Sequence, residues 1–269
     1  MKRPALVTNL LLPTAVGLFS LALTGWLWQH ERETLDASRR ADFDFSVRQA
    51  AGRIEQRIAT YEQMLRAARG LFNASDDVSA SDFRRFVDDL IAGTELSGLQ
   101  AMIFTPYLAS HQIASHVATR RRTDSPGYTI EPPPGGRDPV APVTYIAPDS
   151  PINRRALGHD LFTSPPRREA MLQARDSGTV AISPKIHLKM DQAVTSPAFA
   201  IYLAVYEPGR PTDSVANRQA ALRGWVHIAF RIHDLMASLY GEIAPGVALR
   251  IYDDTRTDSD SLMFDSDPD

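Results

Sequence analysis

The chain contains no cysteine. Disulfide frameworks, cysteine-ligated zinc and thiol catalysis are thereby excluded, while the compartment is left open. Neither sign of charge dominates: 29 Lys and Arg stand against 32 Asp and Glu, a net charge of -3. That balance gives no electrostatic argument for nucleic acid as a partner. Walker loops, G-x-G-x-x-G and G-x-S-x-G elbows are missing, and the Gly135-Gly136 pair follows three prolines and opens no helix. The seven histidines are scattered, none lying three or four residues from another, so no helix face offers a metal pair. Carboxylate pairs such as Asp76-Asp77, Asp88-Asp89 and Asp253-Asp254 lie in polar surroundings, where solvation explains them. No nucleophile can be matched with a base, so a hydrolase is disfavoured, and no enzymatic activity, metal or cofactor is expected of this chain. Repeats with a period of roughly 20 to 50 residues are absent, which removes solenoids.

What is present begins with apolar residues. At 269 residues and 43% apolar, the chain can bury a substantial core. From Pro4 to Gln29 it carries no charged residue, enough to cross a hydrocarbon layer that needs roughly 20 residues in helical form. Lys2-Arg3 precedes this run and His30-Glu31-Arg32-Glu33 follows it, which by the positive-inside bias keeps the N-terminus cytoplasmic. Trp26 and Trp28 stand at its outer end, where indole favours the interface. The alternative is a cleaved signal peptide, but the run is longer than a typical apolar signal core and no A-x-A site follows Trp28. Residues 1–29 are therefore expected to form a single membrane anchor, and everything from about residue 30 to lie in the periplasm or outside the cell.

Beyond the anchor, Phe43, Val47, Ala50, Ile54, Ile58, Tyr61, Leu65, Ala68 and Phe72 recur at steps of three and four. That spacing predicts one long stalk helix with a narrow apolar stripe, pairing with a second copy near the membrane and packing on its own domain at the far end. Gly70 to Ser75 is expected to break it. Ser79 or Ser81 can cap a second helix carrying Phe83, Phe86, Val87, Leu90 and Ile91, which stops near Gly93. Strands are expected over 99–105, 142–148, 179–184, 199–206, 222–230 and 247–252, with Leu262 to Phe264 closing a small sheet. A helix is expected over His111 to Arg122 in the connection after the first strand, and the basic run Arg120 to Arg122 reads as its solvated end. A second loop or linker spans Glu207 to Asn217, and a short helix opens at Asp234 and ends at Gly241.

The stretch Asn153 to Gly178 carries the clearest local signals. Ser164 is placed to cap a helix, Pro165 or Pro166 suits its first turn, and Gly178 can end it in the left-handed conformation. Ala170, Met171 and Ala174 are expected inward, and Arg167, Arg168, Gln173 and Arg175 largely outward. Just ahead, Asp160 sits among apolar or small residues, where an ionised carboxylate is costly without donors. Two roles are open for it: accepting from a ligand, or bonding backbone amides of the turn or of the helix start at Thr163 to Arg167.

Four stretches in order, GLFNASDDVSASDFRRFV, ELSGLQAMIFTPYL, VTYIAPDSPINRRALGHDLFTSPPRREAMLQARDSGTVAISP and GWVHIAFRIHDLM, are together similar to the CHASE sensory domain, the extracytoplasmic input domain of histidine kinases and nucleotide cyclases. The similarity runs from about Tyr61 to at least Met236, with a family-like tail to about residue 265. The resemblance implies an α+β fold in which a long stalk helix precedes two PAS-like units, antiparallel sheets with flanking helices. On this basis residues 30–95 hold the stalk and second helix, 96–207 a membrane-distal unit and 208–269 a membrane-proximal unit. A second membrane span and a cytoplasmic output domain, usual in the family, are not among these residues. One departure is Ala204, where the family carries proline.

The resemblance also implies a function: a dimeric receptor input that binds a small molecule in the distal unit and signals across the membrane to a histidine kinase or diguanylate cyclase. In plant cytokinin receptors of this family, a carboxylate takes the hydrogen-bond donors of an adenine-type ligand, and the matching position is Asp160. Ala181 and Ile182 match the strand that supplies pocket wall, and Ile201 and Leu203 or, on the other face, Tyr202 line the same cavity. A ligand with N–H groups or a positive charge follows from Asp160. The competing expectation is a membrane-tethered dimerisation or protein-interaction module with no small-molecule ligand.

Overall fold

The structure, a computed structural model, describes residues 5–75, 77–92, 99–189, 196–239 and 248–267, with side chains from residue 13 onward. Residues up to Gly52 fall in one unit and those from Arg53 in another. The first unit is the leading part of α1 (Ala5–Ala74). Its large apolar side chains stand exposed, among them Leu18, Phe19, Leu21, Trp26, Trp28, Leu35, Phe43 and Val47. Among the described residues no helix is long and apolar enough to cross a membrane. The uncharged run from Pro4 falls partly on residues 1–12, whose side chains lie outside the described set.

In the second unit α1 continues and buries Tyr61, Met64, Leu65, Ala68 and Phe72 on one side, the expected far end of the stripe. Gly70 does not end the helix, which runs on to Ala74. The Phe72 ring stacks on Phe104 at 4.2 Å and packs near Phe83, and burial of that size outweighs the roughly 1 kcal/mol a helical glycine costs. Helix α2 (Ala80–Ile91) starts where Ser79 forms a reciprocal capping box with Asp82, the Asp82 amide donating to Ser79 Oγ at 3.1 Å. The stop expected at Gly93 lies outside the described residues.

Five strands form one antiparallel sheet: β1 (Leu99–Pro106), β2 (Tyr145–Ala147), β3 (Ala181–Ile182), β4 (Ala198–Tyr206) and β5 (Leu222–Arg231), in the order β2-β1-β5-β4-β3. Helix α3 (Ser110–Thr123) lies between β1 and β2. The crossover from β2 to β3 contains α4 (Pro151–Arg154), a 3-10 turn (Leu161–Thr163) and α5 (Pro165–Ser177), and α6 (Val215–Ala220) lies between β4 and β5. After β5 come α7 (Ile232–Leu239) and a two-stranded sheet of β6 (Arg250–Tyr252) and β7 (Leu262–Asp265). The end of α7 expected at Gly241 lies outside the described residues. This is the expected α+β architecture, a long N-terminal helix followed by antiparallel sheet with flanking helices.

Further placements differ from the sequence reading. The boundary drawn between 207 and 208 assigns 222–230 to a second unit, yet β5 is the central strand of the five, paired along its length with β1 and β4. Strand pairing is nonlocal, and no local pattern names a strand's partner. Arg120 was expected at a solvated helix end; it is buried, bonded to Asp124 and, at 2.8 Å, to the Tyr145 hydroxyl. The pairing with Asp124 compensates the buried charge.

Alternation along the strands divides the sheet into two faces. One carries Phe104, Val226, Phe230, Ile201 and Leu203, all buried, and meets α1: the Tyr61 and Phe230 rings lie 4.4 Å apart. The other packs on α5. It presents Ala101, Ala200, Ala204 and Ala229, with Trp225 and Tyr202 filling the room those alanines leave. The Trp225 indole N–H donates to the Met171 carbonyl at 2.8 Å, tying α5 to the central strand.

Candidate functional site

Asp160 lies where the crossover chain is threaded between two other segments. The Asp160 amide donates to the Glu131 carbonyl at 2.8 Å, and the Val143 amide to the His159 carbonyl at 3.0 Å. Two residues before, Gly158 holds φ +79°, and a Cβ there would stand 1.8 Å from the Thr129 carbonyl oxygen, so only glycine fits. The carboxylate is completely buried. Its Oδ1 accepts from the Ala141 amide at 2.9 Å and the Phe162 amide at 3.1 Å, and its Oδ2 lies 3.3 Å from Arg137 Nε. Arg137 also donates to the Pro132 carbonyl, and its side chain is 37% exposed. One oxygen is thus occupied by backbone, the arrangement of the structural role, and the other faces a cation that a ligand would have to displace.

Helix α5 has the expected boundaries, with Pro165 at its first position and Gly178 left-handed at φ +74° after its last. The Ser164 side chain, however, makes no capping bond. Arg167 was expected outward; it is 6% exposed and belongs to the inward stripe, three and four residues ahead of Ala170 and Met171. Its guanidinium donates to the His187 carbonyl at 2.8 Å and reaches the Tyr202 hydroxyl at 3.4 Å. Among the described residues it has no carboxylate within ion-pairing distance.

Beside it the Tyr202 and His227 rings lie 4.8 Å apart, and His227 Nε2 is 3.1 Å from the Thr105 hydroxyl. His227 Nδ1 is buried with no partner. Burial first, and then the Arg167 charge, push the His227 imidazole down to about 3, so it is neutral in the fold. Burial also lowers His159, again with Arg167 contributing, and raises the Tyr202 phenol. The α5 face therefore encloses a buried cation, a neutral histidine, a phenol and a hydroxyl.

The six residues singled out from the sequence divide between faces. Ala181 and Tyr202 are cross-strand neighbours on the α5 face. Ile182 pairs with Ile201 on the opposite face, where Leu203 also points; Ile182 is 48% exposed, and the other two are fully buried. Asp160 stands in the crossover, one residue before Leu161, which packs into the α5-side core. Arg167, His227 and Thr105 were missed. The signal was there for two of them: Arg167 shares the helical stripe of Ala170, Met171 and Ala174, and His227 alternates in phase with Trp225 and Ala229.

Among the described residues no group of three or more His, Asp or Glu side chains can hold a metal. A search of curated proteins finds no match to the chain. Residues 76–264 match the family of the CHASE domain, a span that takes in α2, the five-stranded sheet, α5 with its buried arginine, and β6 with most of β7. The family is one of extracytoplasmic sensory input modules of receptors, not of catalysts. With most of its length in that match and the expected sheet and crossover in place, this chain belongs to the CHASE domain family.

Proposed function

We propose that the chain is the ligand-sensing input of a membrane receptor, binding a small molecule between α5 and the sheet and passing the change through α1 to a histidine kinase or diguanylate cyclase output. The observation that carries this reading is Arg167, a buried cation without a carboxylate partner, grouped with Tyr202, His227 and Thr105. A buried charge is costly unless compensated, and a ligand bearing a carboxylate or several acceptor atoms compensates it. This turns the expected ligand chemistry around: Asp160 has its donors already, and the buried groups gathered at Arg167 are chiefly donors. Ala181 and Tyr202 line the site, Asp160 shapes the crossover above it, and Ile182, Ile201 and Leu203 support it from the opposite face.

Residues 4–29 anchor the chain in this reading, leaving the remainder in the periplasm or outside the cell, and the exposed Phe43 and Val47, one turn apart on α1, meet a second copy. Ligand binding signals only if one arrangement of the dimer binds better than the other. The test is a thermal-shift screen of the full chain in detergent against carboxylates, amino acids, purines and amines, repeated on Arg167→Lys and Arg167→Gln. A carboxylate-bearing class that raises the melting temperature of the parent chain, with the effect kept partly by lysine and lost with glutamine, is expected. A ligand response unaltered in both variants sinks the assignment.

A second reading, a dimerisation module without a small-molecule ligand, has its own observation. Trp225, Tyr202 and Met171 fill the space between α5 and the sheet with the chain's own side chains. Dimerisation by sedimentation with no compound stabilising the chain would favour it.

A further inference from the structure

A pocket of about 580 Å³ lies at the opposite end of α5 from Arg167, bounded by the last turns of α1, the Gly178 end of α5 and the connection from β4 to α6. Three guanidinium groups line it, Arg69, Arg210 and Arg218, against one carboxylate, Glu207. Arg218 is fixed by its own bonds, Nε to the Asp176 carbonyl at 2.9 Å and Nη1 to the Thr212 carbonyl at 2.8 Å. Both acceptors are neutral carbonyls; the Asp176 and Asp213 carboxylates lie near enough to feel the Arg218 charge, but neither bonds to it. The Arg210 guanidinium makes a single long contact among the described residues, 3.4 Å to the Ala220 carbonyl. The Asp176 carboxylate is taken by Arg175 and Gln219.

Arg69 is the decisive residue. It projects from α1, is half-buried, and has no hydrogen bond or ion pair among the described residues. Burial, and after it the Arg66 charge, lower its pKa, while Tyr206 opposes the change. Partly desolvating a guanidinium in a pocket lined by two others is unfavourable unless an anion in that pocket compensates the charge. Planar guanidinium forks suit the paired oxygens of a carboxylate or phosphate.

We propose that this pocket is a second ligand site, taking a small oxyanion, carboxylate or phosphate, between Arg69, Arg210 and Arg218. Such an anion joins the stalk helix to the β4–α6 connection. The Tyr206 hydroxyl, in the wall of the same pocket, donates to the Arg175 carbonyl near the end of α5 at 2.7 Å, so occupancy also reaches that helix. The site gives the stalk an input of its own, and it stands whether or not the α5 face binds a ligand.

The experiment is calorimetric titration of the full chain in detergent with inorganic phosphate and, separately, with succinate, at constant ionic strength. Saturable binding of at least one anion is expected, weakened about tenfold or more in both Arg69→Gln and Arg210→Gln, since each removes one fork from the anion. Phosphate alone identifies a phosphoryl group, succinate alone a carboxylate, and either result supports the site. Arg210 is exposed and lightly bonded, so its variant folds even if Arg69→Gln does not. Failure of both anions to saturate, or binding unchanged in the two variants, overturns the proposal. Binding that persists in these variants but disappears in Arg167→Gln assigns the anion to the α5 face and likewise overturns it.

Discussion

The two faces of the five-stranded sheet are built on different chemistry. Toward α1 the strands present Phe104, Val226, Ile228, Phe230 and Leu203, and the helix answers with Tyr61, Leu65 and Phe72. Toward α5 the same strands present alanines, one tryptophan and the polar set Thr105, Tyr202 and His227, with Arg167 above them. The aromatic contact holds its partner helix chiefly by buried area, with Arg223 over the Phe72 ring, whereas a face of small residues and buried polar groups depends on each hydrogen bond being made. The first joint is suited to carrying a stalk. The second is suited to responding.

The largest effect that sharpens this contrast is expected on the α1 face. Phe72→Ala removes a fully buried ring stacked on Phe104 and should cost about 3 to 5 kcal/mol, read as a lower urea midpoint. A loss below about 1 kcal/mol would mean the stalk is not held by that contact.

The next is a pH effect, shared between the other face and the packing of α3 on Tyr128. His227 is held down to about 3 and His116, beside Tyr128, to about 4, chiefly by burial, against an ordinary 6.5. Lowered folded values mean that the unfolded chain takes up protons first. The stability associated with these histidines is complete above about pH 6.5 and is lost progressively as the pH falls from there toward their folded values. At about 1.4 kcal/mol per pKa unit, the loss by pH 4 is on the order of 3 kcal/mol for each. Replacing His227 with glutamine should flatten the curve between pH 6.5 and 4, whereas an unchanged slope would show that His227 is not the buried group responsible.

A smaller effect is expected at Asp160→Asn. The amide oxygen still accepts from Ala141 and Phe162 while the attraction to half-exposed Arg137 is lost, for about 1 to 2 kcal/mol. If asparagine instead leaves stability untouched and abolishes ligand binding, the carboxylate is a ligand contact and not a crossover brace. Smallest of all, Ile182→Ala should change stability by less than about 1 kcal/mol, its side chain being nearly half exposed on the α1-side face at the sheet edge.

What the sequence made legible was local. The start and stop of α5 at Pro165 and Gly178, the cap at Ser79 and the apolar runs of β4 and β5 all depend on neighbours within a few residues, and each appears in the structure. Asp160 was found for the right reason, a carboxylate needing donors, but beside the local Phe162 amide its donors are Ala141 and Arg137, which lie in a connection with no periodic pattern of its own. Arg167 was misplaced because charge was allowed to outweigh position: at a helix start, the stripe decides the direction and the charge only sets the cost. The central place of β5 was not legible, because its register with β1 and β4 is a property of distant segments meeting.

The inequality of the strands also sets how the molecule comes apart. β1, β4 and β5 are 8, 9 and 10 residues long, whereas the edge strands β2 and β3 have 3 and 2. The crossover carrying Asp160 and α5 is hung between those two short edges. Amide exchange in deuterated water should therefore run on two clocks, β5 protons leaving only when the whole sheet opens and those of β2, β3 and the crossover leaving in smaller, earlier openings. The chain can loosen its responsive half without releasing its grip on the stalk.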